Sequence, residues 1–424
     1  MKDILIKNAL LSPSGEEGTA DIFISGGKIS RISRHLDSPQ GCIEVDAEGL
    51  TVIPGLVDVH VHFREPGFSY KETIATGSVA AAAGGFTTVC PMPNLNPAPD
   101  SVENLEKELE IIRRDAKVET LPYATITRSR LGEELVDYKA LAPMVAGFSD
   151  DGSGVQDEDT MRRAMQGIEP TGKVLAAHCE VNSLLKKGYI HDGVYAREHG
   201  HRGICSESEW REIERDIRLS EETGCPLHVC HISTAESVEL IRRAKARGAK
   251  VTCETGPHYL VFSDEDLQED GRFKMNPPLR SRNDMEALRK GIVDGTIDCI
   301  ATDHAPHSAE EKSKGLEHSA MGVVGLETSL AAVYTHMVLT GRISFRRMLE
   351  LMAITPRSIF GIGGGLEPGD RADIALVDFN REWTVDPGCF LSKGKSTPFD
   401  GERLTGKVMM TVAGGKIVYD NRKQ

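Results

Sequence analysis

Between residues 55 and 304, eight short apolar runs alternate with segments of helical length, and few architectures accommodate that pattern. The runs are GLVDVHVHF (55–63), FTTVCPM (86–92), ETLPYATI (119–126), MVAGFSD (144–150), KVLAAHC (173–179), PLHVCHI (226–232), KVTCET (250–255) and DCIATDH (298–304). Each has the length of a buried strand. ETIATGSVAAAAGG, SVENLEKELEIIRRDAK and AESVELIRRAKARG, among the intervening segments, read as helices. The alternation predicts an α/β fold, a (β/α)8 TIM-type barrel. A doubly wound open sheet is the rival, weakened because no Gly-rich phosphate fingerprint follows the first strand.

The two ends of the chain read differently. DILIKNALL, ADIFISGGKISRI and CIEVDAEGLTVI near the start are short strands with turns, and so are ADIALVDF, EWTVD and LTGKVMMTVAGGKIVYD near the end. SGGKISRI and AGGKIVYD are similar turn-and-strand pieces. Residues 1–53 and 365–424 are therefore expected to pair into one small β-sandwich domain, with the barrel, 54–364, inserted between them. The start, MKDILIKNALL, resembles a signal peptide only superficially, because Asp3 and Lys7 interrupt it. Residues 308–320, SAEEKSKGLEHSA, read as an exposed polar loop, either a lid or merely solvated.

A net charge of −14 argues against nucleic acid or an anionic membrane as partner, and no apolar run approaches a membrane span. The nine cysteines are scattered with no C-x-x-C pair, as expected of reduced, mostly core-filling thiols in a cytoplasmic protein.

The chemistry gathers at the ends of the strand-like runs. Residues two apart in a strand share a face, so His60 and His62 point the same way at the end of the first. His178 ends the fifth run, His231 the sixth and Asp303 the eighth, while Asp150 and Asp151 close the fourth. Each taken singly is explained by core or turn chemistry. Together they fall at the C-terminal end of a barrel, where active sites are built. Four histidines and two carboxylates exceed what one zinc needs and suit two ions sharing a bridging carboxylate and hydroxide. Arg64, on the face of His62, suits a carboxylate. Asn94, Asn276 and His307 lie beyond strands two, seven and eight, and each is equally explained by turn or solvent contacts.

At these residues the chain resembles the dihydroorotases of the amidohydrolase superfamily. HVHFREPGFSYKETIATGSVAAAAGGFTTVCPMPNLNP (60–97) and ATDHAPHSAEEKSKG (301–315) are similar to the family's two signatures, and GFSDDGSGVQ and HVCHIST add to the match. The resemblance implies metal ligands at His60, His62, Asp151, His178, His231 and Asp303, two zinc ions, and Asp303 as general base and acid. It implies dihydroorotate contacts at Arg64, Asn94, Asn276 and His307, with backbone near Met321 and Gly322. Many relatives bridge their metals with a carboxylated lysine at the end of strand four. Here VAGFSDDG holds none, so Asp151 is the expected bridge, with Asp150 the runner-up. The implied reaction is reversible hydrolysis of dihydroorotate to N-carbamoyl-L-aspartate in pyrimidine biosynthesis, by a zinc-bound hydroxide, and a homodimer is expected. Rival readings are a hydantoinase, dihydropyrimidinase or allantoinase, and, from another class, a catalytically silent scaffold associating with aspartate transcarbamoylase. Silent members typically lack some ligands, whereas every expected position here is filled.

Overall fold

The computed structural model describes residues 2–422. All eight expected runs contain strands: Leu56–Val61, Phe86–Pro91, Glu119–Thr120, Gly147–Phe148, Val174–Ala177, Leu227–Val229, Val251–Thr255 and Cys299–Ile300. Neighbours pair in parallel, the first three as one sheet and the last five as another. Two parallel bridges join these sheets into a ring. Ala124 pairs with Phe148 between strands three and four, and Val61 pairs with His304 between strands one and eight. Main-chain bonds Ser149 N–H to Ala124 O (2.9 Å) and His62 N–H to His304 O (2.8 Å) reinforce the two seams.

The expected helices form at Ile74–Ala83, Val102–Asp115 and Ala235–Ala246, each behind a hydroxyl cap that accepts a main-chain N–H: Thr73, Ser101 and Thr234. The first is built from small residues because it lies against the end of strand one. A Cβ on Gly77 would stand 2.5 Å from the Phe63 ring. Inside the ring, Val57, Cys90, Tyr123, Ala146, Ala176, Cys230 and Ala301 pack together with Phe360, so the barrel is filled rather than hollow.

The chain ends form one mixed sheet. Its strands run in the order Lys416–Asp420, Arg403–Ala413, Ile374–Thr384, Thr51–Pro54, Ile4–Leu10, Thr19–Ser25, Lys28–Ser33, with Ile43–Asp46 also paired to Ile4–Leu10. Alternate side chains (Ile4, Ile6, Ile22, Ile24, Ile374, Leu376, Met410, Val412) enclose one core. Ala375, Val377 and Ala413, of the opposite parity, join the barrel's core instead. The two similar hairpin pieces meet: a Cβ at Gly415 would stand 2.5 Å from Gly27 Cα. The N-terminal segment is a strand, as its alternation implies. Six of the nine free cysteines are buried. Among the described residues no helix is long and apolar enough to cross a membrane.

Residues 308–320 differ from the exposed loop their polarity suggests. Ala309–Lys312 and Gly315–His318 are short helices, Leu316 is buried, and the buried Lys312 ammonium donates to Lys274 O (2.9 Å) and Ala320 O (2.8 Å). A long aliphatic stem lets one polar residue anchor such a segment from inside.

Glu108, on the helix Val102–Asp115, is buried, and its Oε2 has no hydrogen-bond partner among the described residues. Burial pushes its carboxyl well above the usual range. A raised acid stabilises the fold least where the unfolded chain has ionised, so stability falls as pH rises past the ordinary glutamate value. Glu108→Met is expected to stabilise the protein by about 1–3 kcal/mol at pH 8 and by less at pH 4. Urea unfolding at the two pH values measures this; an equal gain at both would refute it.

Candidate active site

The expected site residues converge at the C-terminal mouth of the barrel. His62, Arg64, Asn94, Asp151, His178, His231, Asn276, Asp303, His307, Met321 and Gly322 line one cavity of about 230 Å³, together with Gly152 and Ala305. His60 lies beneath it, fully buried. The strands end early where they deliver these groups. Arg64, His231 and Asp303 have φ of +60°, +34° and +46°, so the chain bends out of the ladder at three of the positions that face the cavity.

Asp151 sits between two groups of imidazoles. Its Oδ1 lies 3.4 Å from His60 Nε2, 3.4 Å from His178 Nδ1 and 3.6 Å from His231 Nε2, while Oδ2 is 3.5 Å from His62 Nε2. Asp303 Oδ1 is 3.0 Å from His62 Nε2 and 3.5 Å from His60 Nε2. His178 Nδ1 and His231 Nε2 are 2.9 Å apart. Asp150, the runner-up bridge, turns away. It accepts the N–H groups of Ile126 (2.8 Å) and Thr127 (3.2 Å) and the Thr127 hydroxyl, and burial lifts it to about 6.

Outer partners decide which nitrogens face inward. His60 Nδ1 bonds Glu254 (2.6 Å) and His62 Nδ1 bonds Asn94 Oδ1 (2.8 Å), leaving both Nε2 atoms toward the cluster. Glu254 also takes His228 Nε2 (3.1 Å) and the His231 N–H (3.3 Å). Arg130 donates to Asp151 O (2.6 Å). Glu254 and Arg130 escape a reading by strand ends: one lies within strand seven, the other in a loop remote in sequence. A carboxylate inside an otherwise uncharged run, VTCET, is the available signal for Glu254.

Burial alone would raise Asp151, but His60, His178 and His231 hold it well below the usual carboxylate range, and against the same effect of burial His60 and His62 lower Asp303. His307 is driven down to about 3 by burial beside Arg64 and Lys71. It is therefore neutral, with Nδ1 against Lys71 Nζ (3.2 Å) and Nε2 against Met321 O (2.8 Å).

The cluster fits a cation. Among the described residues, His60 Nε2 and Asp151 Oδ1 are buried without a hydrogen-bond partner, although they lie 3.4 Å apart. They aim at shared space rather than at each other, as ligands of an ion do, and otherwise both would bear the full cost of burial. Ligand atoms of His60, His62 and Asp303, and of His60, Asp151 and His231, form two sets with every distance within 4.8 Å.

The chain is similar throughout its length to known proteins. Residues 49–237 match a family described as dihydro-orotase-like. A dihydroorotase of Fusobacterium nucleatum is 48% identical over 423 residues, 99% of each chain, and one of Bacillus licheniformis is 49% identical over 419 residues, 98% of each. The chain belongs to the dihydroorotase family. As a family member it is an enzyme of the amidohydrolase superfamily. The L-hydantoinase of Arthrobacter aurescens superposes with a TM-score of 0.87 at 29% identity, covering 99% of this chain and 97% of that one. A dihydropyrimidinase of Brevibacillus agri, at 22% identity and a TM-score of 0.85, shares the fold. The barrel with a β-domain built from both chain ends is thus a fold that this chain shares with both enzymes.

Proposed function

We propose that this chain catalyses the reversible hydrolysis of (S)-dihydroorotate to N-carbamoyl-L-aspartate with two zinc ions. The reaction would take place on a barrel of residues 54–364, carrying a composite β-domain of 1–53 plus 365–424. The observation that carries the reading is the placing of a guanidinium, Arg64, in the same cavity as the histidine–aspartate cluster. A cyclic amide bearing a carboxylate needs both.

His60, His62 and Asp303 would hold one ion and His178 and His231 the other, with Asp151 facing both sets. Imidazole-rich surroundings favour zinc over magnesium or calcium. When bound, the pair supplies an acidified water and polarises a carbonyl oxygen.

The chain's own groups do the rest. Asp303 takes the proton of the attacking water and passes it to the departing ring nitrogen. The Arg64 Nε–H is held by Pro306 O (3.3 Å), which orients the guanidinium for the substrate carboxylate. Asn94 Oδ1 accepts from His62 Nδ1, so its NH2, which donates one N–H to Asp151 Oδ2 at 3.4 Å, has its second N–H left for an anionic oxygen. His307 is neutral and packs beside this carboxylate site.

The hydantoinase and dihydropyrimidinase reading differs in substrate charge, since hydantoin and dihydrouracil lack the carboxylate. The deciding experiment measures hydrolysis of dihydroorotate, hydantoin and dihydrouracil, with zinc content, on one sample. Dihydroorotate is expected to be preferred by about 100-fold or more, a loss of roughly 3 kcal/mol for an unpaired buried charge, with close to two zinc ions per chain. Faster turnover of dihydrouracil would overturn the assignment.

A further inference from the structure

Asn276 lines the cavity, yet its side chain is held from outside it. Its Nδ2 donates to Glu180 Oε1 at 3.0 Å. Its Oδ1 is buried without a hydrogen-bond partner among the described residues. An amide can be turned either way by exchanging its oxygen and nitrogen, and its neighbour decides which. A carboxylate accepts only, so the NH2 end belongs on Glu180 and the carbonyl end is the one left free. The other oxygen of Glu180, Oε2, lies 3.6 Å from His178 Nε2. Glu180 is thus braced between a cluster histidine and Asn276, with its side chain only 16% exposed. Asn94 is turned the opposite way, with its carbonyl on His62.

We propose that Glu180 is a positioning residue for Asn276, fixing it so that its carbonyl oxygen accepts a hydrogen bond from a ring N–H of the substrate. The two asparagines of the cavity then have opposite polarity: Asn94 offers a donor to the carboxylate, and Asn276 offers an acceptor to the ring. An acceptor discriminates against rings that carry oxygen or an alkylated nitrogen at that place, because the buried carbonyl would stay unpaired. The inference rests on the dihydroorotase reading of the site.

The test is a double-mutant cycle on the zinc-loaded enzyme, using Glu180→Leu, Asn276→Ala and the pair, with Glu180→Gln as the conservative variant. Glu180→Leu is expected to raise KM for dihydroorotate by about 10-fold or more, with a smaller change in kcat and unchanged zinc content. Glu180→Gln, whose carbonyl still accepts from Asn276, is expected to stay within about threefold of wild type. On the Asn276→Ala background, Glu180→Leu is expected to add almost nothing. Full additivity of the two, or zinc lost in step with activity, would overturn the proposal and place the action of Glu180 on His178. A wild-type enzyme that ignores dihydroorotate would fail the reading of the function, whereas an active wild type with an additive cycle fails this inference alone.

Discussion

Asp303→Asn is expected to lower kcat for dihydroorotate by about 10³-fold or more while the protein keeps at least one bound zinc ion. Asparagine has the shape of aspartate and a carbonyl oxygen that still faces His62, 3.0 Å away in the native residue. It has no basic oxygen that can take up a proton and return it. The chemical step therefore loses both its acceptor and its donor, while the remaining histidines and Asp151 still converge. The left-handed backbone at this position, φ +46°, tolerates asparagine better than most residues, so a folding defect does not confound the variant. Single-turnover kinetics with elemental analysis of the same sample decides the matter. Near-normal turnover would remove Asp303 from proton transfer.

Arg64→Ala is expected to raise KM for dihydroorotate by about 100-fold and to leave zinc content unchanged, a loss of roughly 3 kcal/mol for one buried charge-assisted contact. Arg64 is 9% exposed and touches Pro306 O and the His307 ring (3.5 Å); among the described residues it bonds no carboxylate or imidazole of the histidine–aspartate cluster. Its removal strips the substrate's counter-charge without touching a ligand. Arg64→Lys is expected to recover only part of the loss, because an ammonium cannot pair bidentately with a carboxylate. The backbone here is also left-handed, so Arg64→Gly serves as a control in which any strain is relieved and the side chain is still absent. Zinc loss that parallels the loss of activity would show that Arg64 supports the cluster instead.

Much of this architecture was legible along the chain because strand length and apolar content are local properties. The eight runs were each found, yet their hydrogen-bonded cores are shorter than the apolar stretches. MVAGFSD contributes only Gly147–Phe148 and DCIATDH only Cys299–Ile300. The difference is physical. Where these runs end the chain leaves the ladder, so that Asp151 and Asp303 face the cavity, and the seams beside Phe148 and His304 close through single bridges. The match of the terminal hairpins was visible as similar sequence, but their contact at Gly27 and Gly415 was not.

From residue order alone came the number of strands, the pairing of the two chain ends, and the set of groups at the strand ends, since each follows from periodicity and position. Only the tertiary structure decided between Asp150 and Asp151, brought Glu254 beneath His60, buried Lys312 under a segment that looked solvated, and turned Asn94 and Asn276 in opposite senses. Those outcomes depend on which polar group stands opposite which across tens or hundreds of residues. No local pattern encodes that, because the partner's distance and direction exist only once the chain has closed on itself.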